Sequence, residues 1–225
     1  MTLALAIHGG CGTLPKAEMT EAEWAQARSD LASALRAGWA ILTRGGAAVD
    51  AVEAAVRVME DSPHFNAGHG AAFNTEGEHE LDASIMDGAT LAAGAICGAK
   101  RIRNPVSAAK ALMLRGDPLL LAGPAADDFA EHEGVDTVAN AHFSTERRRK
   151  NLASMKLREI VGTAAEASEA EKHGTVGAVA CDAQGHLAAA TSTGGYTNKP
   201  VGRVGDSPII GAGTYARDGR SAGSG

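Results

Sequence analysis

The chain has 225 residues, 44% hydrophobic but only 4% aromatic, and its formal net charge of −6 is small for its length, which excludes a disordered protein. Its 47 alanines and 28 glycines fill one third of the positions without a three-residue glycine period, which excludes collagen and asks for a core of closely approaching backbones. No apolar run approaches the roughly 18 residues of a membrane span, residues 1–7 lack the basic region and length of a secretory signal, and the acidic balance argues against nucleic-acid binding.

Residues 3–7 form a short apolar run that stops at His8-Gly9-Gly10, the pattern of a buried strand entering a tight turn. Thr20 and Glu23 make a capping box, and Trp24, Ala27, Leu31, Leu35, Trp39 and Leu42 recur at helical spacing until Arg44-Gly45-Gly46. A second helix follows, with Val49, Val52, Val56 and Met59 on one face, ended by Asp61-Ser62-Pro63. Residues 81–86 and 91–97 read as two strands joined through Asp87-Gly88. Asn104-Pro105 opens a helix through Leu114, residues 119–122 suit a strand, and residues 125–133 suit another helix. Residues 145–172 are polar and charged. Arg147-Arg148-Arg149-Lys150 reads as a solvated face, and the latter part of this stretch is expected to be a flexible linker, placed at about 150–174.

Beyond the linker the character reverses. Residues 175–181 and 186–193 are apolar, β-compatible runs around the turn Asp182-Ala183-Gln184-Gly185, and residues 209–215 form a third run. The order of elements points to an α+β layering of helices on a largely antiparallel sheet. Cys11, Cys97 and Cys181 are odd in number, widely spaced and without a metal-type pair, which reads as buried thiols of a cytoplasmic protein.

The sharpest chemical feature is the junction of the linker with Gly174-Thr175. A threonine hydroxyl is a weak nucleophile until a base lies within hydrogen-bond reach. A threonine freed at its N-terminus carries its own base, an α-amine with an ordinary pKa of about 7.7–8.0. By spacing alone, Thr175 also suits the plain start of a strand.

Five segments stand in a fixed order: Ala6-Ile7-His8-Gly9-Gly10, Phe65-Asn66-Ala67-Gly68-His69-Gly70, Leu81-Asp82-Ala83-Ser84-Ile85-Met86-Asp87-Gly88, Gly174-Thr175-Val176-Gly177-Ala178-Val179-Ala180 and Thr191-Ser192-Thr193-Gly194-Gly195. With Asn198-Lys199 and Gly202-Arg203-Val204-Gly205-Asp206-Ser207-Pro208, they closely resemble the plant-type asparaginases, or isoaspartyl peptidases, of the N-terminal nucleophile hydrolases. The resemblance runs from near Leu3 to about Arg220.

It implies an αββα four-layer sandwich, made as a precursor and cut between Gly174 and Thr175, with residues 1–174 and 175–225 parts of one domain. It also implies hydrolysis of L-asparagine and β-aspartyl dipeptides through a covalent intermediate on Thr175, needing no cofactor for the chemistry, by a pair of αβ units. By the same resemblance Thr193 orients Thr175, and Asn66 shapes the site near the nucleophile. Arg203 takes the substrate α-carboxylate, for which its planar fork is suited, and Asp206 takes the α-ammonium, with Gly205 between them. Without a ligand, Arg203 and Asp206 also suit a mutual ion pair.

A sodium ion is implied on the backbone carbonyls of Met59, Glu60, Ser62, Phe65, Ala67 and His69. His64 and His69 raise a zinc pair that has no third ligand in view, His8 reads as a turn residue, and Glu78-His79-Glu80 as a solvated loop. The 51 residues from Thr175 to Gly225 are fewer than the family's β subunit has, so the stretch that supplies oxyanion contacts is expected beyond them, and residues 221–225 read as a cut-off remnant or a linker. Alternatives to the self-processing amidohydrolase are a glycosylasparaginase-like amidase and an uncleaved, inactive scaffold that keeps the amino-acid pocket.

Overall fold

The computed structural model describes residues 2–10, 20–163 and 174–225. Eight strands and five α-helices are described: β1 (Ala4–His8), α1 (Glu21–Thr43), α2 (Ala48–Glu60), β2 (Leu81–Asp87), β3 (Ala93–Ala99), α3 (Pro105–Arg115), β4 (Leu120–Ala122), α4 (Pro124–His132), α5 (Glu146–Ile160), β5 (Thr175–Cys181), β6 (Leu187–Thr193), β7 (Thr214–Arg217) and β8 (Ser221–Ser224).

Six strands form one sheet in the order β1-β5-β6-β2-β3-β4, antiparallel except where β3 meets β4. The alternation of side chains along β5 sorts the two faces. Val176, Ala178 and Ala180 enter the main core with Val52, Val56 and Met59 of α2 and Ile85 of β2. Val179 faces the opposite way, toward a small cluster of Met86, Ala189 and Ala216. That second face is covered by the two-stranded sheet β7-β8. Helices, large sheet and small sheet are thus three successive layers of the α+β sandwich among the described residues.

Short-range signals place the helices well. Thr20 and Glu23 cap α1 reciprocally, with the Thr20 amide donating to Glu23 Oε2 at 2.8 Å and the Glu23 amide to Thr20 Oγ1 at 3.2 Å. The free N-terminus of α2 has a distant cap instead, the Ala48 amide donating to Asp182 Oδ2 across 3.1 Å from the β5–β6 turn. The alanine and glycine excess has a concrete use where α1 crosses α2. A Cβ on Gly38 would stand 2.7 Å from the carbonyl oxygen of Ala51 and 2.8 Å from Leu5 Cδ2.

Several expectations need correction. The stretch placed in a flexible linker is helical from its start to Ile160, as part of α5; residues 164–173 lie outside the described residues. Residues 209–215 do not form a strand over their length. Ile209 is exposed, Ile210 makes only an isolated bridge to Thr214 across the turn through Gly211 and Gly213, and the strand itself begins at Thr214. The tail is no linker, because Ser221–Ser224 is β8 and the Gly225 amide donates to the Gly213 carbonyl at 2.9 Å. The helical spacing in α1 also overstates its burial, since Leu35 and Trp39 are 41% and 43% exposed while Ala27, Ala34 and Leu42 are buried.

Candidate active site

Strand register brings the site together. Thr175, at the start of β5, lies directly opposite Thr193, the last residue of β6, and Thr193 lies directly opposite Asp82 of β2. Directly opposed side chains on adjacent strands sit about 4.5–5.5 Å apart at Cβ, so three polar side chains line up on one face of the sheet. This is the face away from the helices.

The hydroxyls are wired to the peptide bond before the nucleophile. Thr175 Oγ1 donates to Thr193 Oγ1 at 3.3 Å, and Thr193 Oγ1 donates to the Gly174 carbonyl at 3.2 Å. The Gly195 amide donates to the same Thr193 oxygen at 3.0 Å. Asn66 Nδ2 supplies a second donor to the Gly174 carbonyl at 2.7 Å and reaches the Gly195 carbonyl at 2.5 Å, while its Oδ1 accepts from the Ala72 amide at 2.7 Å. Gly174 and Asn66 are buried, so the carbonyl of the Gly174–Thr175 peptide is held by two donors out of water. Donors fixed on a carbonyl oxygen in this way stabilise the negative charge that develops there under nucleophilic attack.

Arg203 and Asp206 follow in the loop after β6. They do not pair with each other among the described residues; the Arg203 guanidinium instead lies over the Tyr196 ring, 4.7 Å from its centroid. Asp206 is exposed, its carboxylate near the Gly225 end of β8, and Gly205 is half-buried between the two. One half-buried cation and one exposed anion therefore remain for a zwitterionic ligand.

His8 closes the other flank of β5. Its Nε2 lies 3.2 Å from Ser224 Oγ, both over Gly177, and burial lowers its pKa despite backbone contacts at Thr175 and Ser224. It is a residue of the strand end rather than of the turn.

Two clusters that read as solvated in sequence are structural. Arg147 Nη2 donates to the His64 carbonyl at 2.8 Å, and the buried Arg148 donates from Nε to the Gly70 carbonyl at 2.5 Å. The basic run thus clamps both ends of the turn that carries Asn66. Burial lowers the Arg148 pKa to about 9. His79 and Glu80 are buried as well. Glu80 accepts the Gly202 amide at 3.1 Å and Asn74 Nδ2 at 3.2 Å, tying the Arg203 loop to β2. No local pattern distinguishes these groups from surface charges, because their partners are remote in sequence.

Glu60, below the sheet, is fully buried. Its Oε1 accepts Ser192 Oγ at 2.6 Å and the Val106 amide at 3.0 Å, its Oε2 has no partner among the described residues, and burial pushes its pKa up to about 8.

The turn from Met59 to His69 offers the carbonyls of Met59, Glu60, Ser62, Phe65, Ala67 and His69 at the C-terminal end of α2. The His69 amide folds it back onto the Glu60 carbonyl at 2.7 Å, and Gly68 takes φ 49°. The Met59 carbonyl likewise accepts the Ser62 amide at 3.3 Å, so two of the six carbonyls expected around a sodium ion already carry a backbone hydrogen bond. The zinc pair does not assemble: His64 Nδ1 lies 2.9 Å from Asp30 Oδ2, and His69 packs against His142 with ring centroids 5.5 Å apart. Among the described residues no group of three or more His, Cys, Asp or Glu could hold a metal ion, and no helix is long and apolar enough to cross a membrane. Cys97 and Cys181 are free thiols, while Cys11 lies outside the described residues.

Comparison with known proteins bears on the same arrangement. Residues 1–225 match the protein-family model described as Asparaginase. The chain is 44% identical to the isoaspartyl peptidase of Salmonella typhimurium, over 95% of this chain and 69% of that protein. It is 44% identical to the isoaspartyl peptidase of Escherichia coli, over 95% of this chain and 68% of that protein. It is 46% identical to the isoaspartyl peptidase/L-asparaginase of Mus musculus, over 96% of this chain and 64% of that protein.

Proposed function

Because the chain belongs to the asparaginase family, whose members are N-terminal nucleophile hydrolases, we propose that it is a self-processing amidohydrolase acting on L-asparagine and β-aspartyl dipeptides. The observation that carries this reading is the Gly174 carbonyl held by Asn66 Nδ2 at 2.7 Å and Thr193 Oγ1 at 3.2 Å, beside the Thr175 hydroxyl.

In the processing step, Thr175 Oγ1 attacks the Gly174 carbonyl carbon, and Asn66 and Thr193 stabilise the oxyanion. The C–N bond breaks, the Thr175 nitrogen takes a proton and an ester remains. Water then hydrolyses the ester, releasing the Gly174 carboxylate and a free α-amine on Thr175. In turnover that amine accepts the proton of its own hydroxyl as Oγ1 attacks the side-chain carbonyl of asparagine or of a β-aspartyl peptide. Ammonia, or the amine of the leaving amino acid, carries away the proton. A β-aspartyl ester forms on Thr175, and water cleaves it to aspartate.

Arg203 receives the substrate α-carboxylate and Asp206 its α-ammonium, as befits one cation and one anion in neighbouring positions of one loop. A sodium ion on the carbonyls of residues 59–69 stiffens the Asn66 turn, and two αβ units assemble as a homodimer, which sedimentation would detect. The test is intact mass and product analysis of purified protein. Two fragments divided at Gly174–Thr175, with ammonia released from asparagine, are expected. A wild-type protein that stays one chain and releases neither ammonia nor aspartate contradicts the reading.

A further inference from the structure

On the face of the sheet that carries Thr175, Thr193 and Asp82, the next row holds Ser84 of β2 and Thr191 of β6, directly opposite each other. It lies two residues along the strands, about 7 Å, from the nucleophile row. Both side chains are fully buried, and both turn to the loop from Asp206 to Thr214.

Ser84 Oγ donates to the Ser207 carbonyl at 2.6 Å, one residue beyond Asp206. Thr191 Oγ1 donates to the Gly213 carbonyl at 2.9 Å, which also accepts the Gly225 amide at 2.9 Å. Thr214 Oγ1 lies between the two hydroxyls, 2.7 Å from Ser84 Oγ and 2.5 Å from Thr191 Oγ1. Each hydroxyl has one proton, so three protons serve four contacts, and neither donor to a carbonyl has a substitute. The amides of β2 and β6 are engaged in strand pairing on both sides, so the Ser207 carbonyl, buried over them, depends on a side-chain donor.

The loop is closed on itself as well. The Ile209 amide donates to the Asp206 carbonyl at 2.8 Å, and the Gly213 amide donates to the Ile209 carbonyl at 3.1 Å. A Cβ on Gly213 would stand 2.5 Å from the Asp206 carbonyl oxygen and 2.6 Å from Ser207 Cα, so the two ends of the loop touch. Both ends are thereby pinned to the sheet, and Asp206, at the first of them, is exposed.

We propose that Ser84 and Thr191 are positioning residues for substrate recognition: by fixing both ends of this loop on the sheet, they set the Asp206 carboxylate where it meets the substrate α-ammonium. This rests on the function proposed above, which gives that ammonium to Asp206. Hydroxyls that served stability alone would leave the discrimination between substrates with and without an α-ammonium unchanged.

The test compares wild type with Ser84→Ala, Thr191→Val and Thr191→Ser on L-asparagine and on succinamic acid, which is asparagine without its α-amino group. Ser84→Ala is expected to raise KM for asparagine about fivefold with little change in kcat, and to lower the preference for asparagine over succinamic acid by the same factor, the scale of one hydrogen bond. Thr191→Val is expected to lower that preference about threefold, because the Gly225 amide still serves its carbonyl, and Thr191→Ser, which keeps the hydroxyl, restores it. Folded Ser84→Ala and Thr191→Val proteins that keep the wild-type preference, or that lose both substrates equally, overturn the proposal. If Ser84→Ala does not fold, the two Thr191 variants decide it by the same criterion. Asp206→Asn separates the two readings. If it lowers the preference while the Ser84 and Thr191 variants do not, only the role of Ser84 and Thr191 falls; if it keeps the preference, the assignment of the ammonium to Asp206 fails and this role with it. Should wild type turn over neither substrate, the function proposed above fails, and calorimetry with L-aspartate and succinate still reads the pocket: the same losses of preference are expected, and an unchanged preference overturns the inference.

Discussion

Thr193 uses the full capacity of one hydroxyl, which has one proton and two lone pairs. It accepts from Thr175 Oγ1 and from the Gly195 amide and donates to the Gly174 carbonyl. Its role therefore depends on the oxygen rather than on volume. Thr193→Val, which keeps the shape, is expected to slow cleavage of Gly174–Thr175 by about 10²–10³, whereas Thr193→Ser cleaves at near the wild-type rate; gel densitometry over time measures both. Asn66→Ala removes the other donor to the same carbonyl, with an expected loss of the same order. At this scale the sequence was informative. Thr175, Thr193 and Asn66 came from motifs in fixed order, and the structure brings them together around one carbonyl, but it does not pair Arg203 with Asp206. Asp82 stood within a quoted motif without a role, because only the strand register reveals what it faces.

Among the elements, α5 departs most from expectation. Its mean character is that of a surface helix, and Arg149 and Lys150 do face solvent. Arg148, between the half-buried Arg147 and the exposed Arg149, points inward to the Gly70 carbonyl and leaves its Nη2 without a partner among the described residues. Arg148→Ala is expected to cost about 2–3 kcal/mol in urea unfolding, through an unpaired buried carbonyl and lost packing, whereas Arg149→Ala stays within about 0.5 kcal/mol. The α1 capping box was legible because both partners lie within four residues, as was the β5–β6 hairpin around Asp182. The β7–β8 pair was not. Its position depends on Gly213 packing against the Asp206 backbone, and the apolar run before it carries no sign of that contact.

For the whole molecule, the buried polar groups tie stability to pH. His79 is fully buried, its ring between the Ala72 carbonyl and the Ser144 hydroxyl at 3.2 and 3.0 Å, and burial lowers its pKa to about 4 against an ordinary 6.5, with Arg148 and Arg149 adding to the effect. The neutral ring is the folded form, so its contribution is complete above pH 6.5 and is lost as pH falls toward 4, where the unfolded chain binds a proton that the fold refuses. Urea unfolding at pH 7 and pH 4.5 is expected to differ by up to about 3 kcal/mol from this group, and His79→Gln should flatten that dependence. The composition had asked for backbones in close approach, and the small residues do line the contacts of α1, α2 and the sheet. That helices pack on a largely antiparallel sheet was legible in the order of elements, while the burial of Glu80 and Arg148 was not, since a lone carboxylate or arginine reads the same in sequence whether it meets water or a partner.

Intact mass spectrometry of wild type and Thr175→Ala after the same incubation decides whether Thr175 is freed by attack of its own hydroxyl on the Gly174 carbonyl. Two fragments, the second beginning at Thr175, in wild type, and a single uncut chain in Thr175→Ala, are the expected result. Cleavage of Thr175→Ala at the same bond and rate would contradict it.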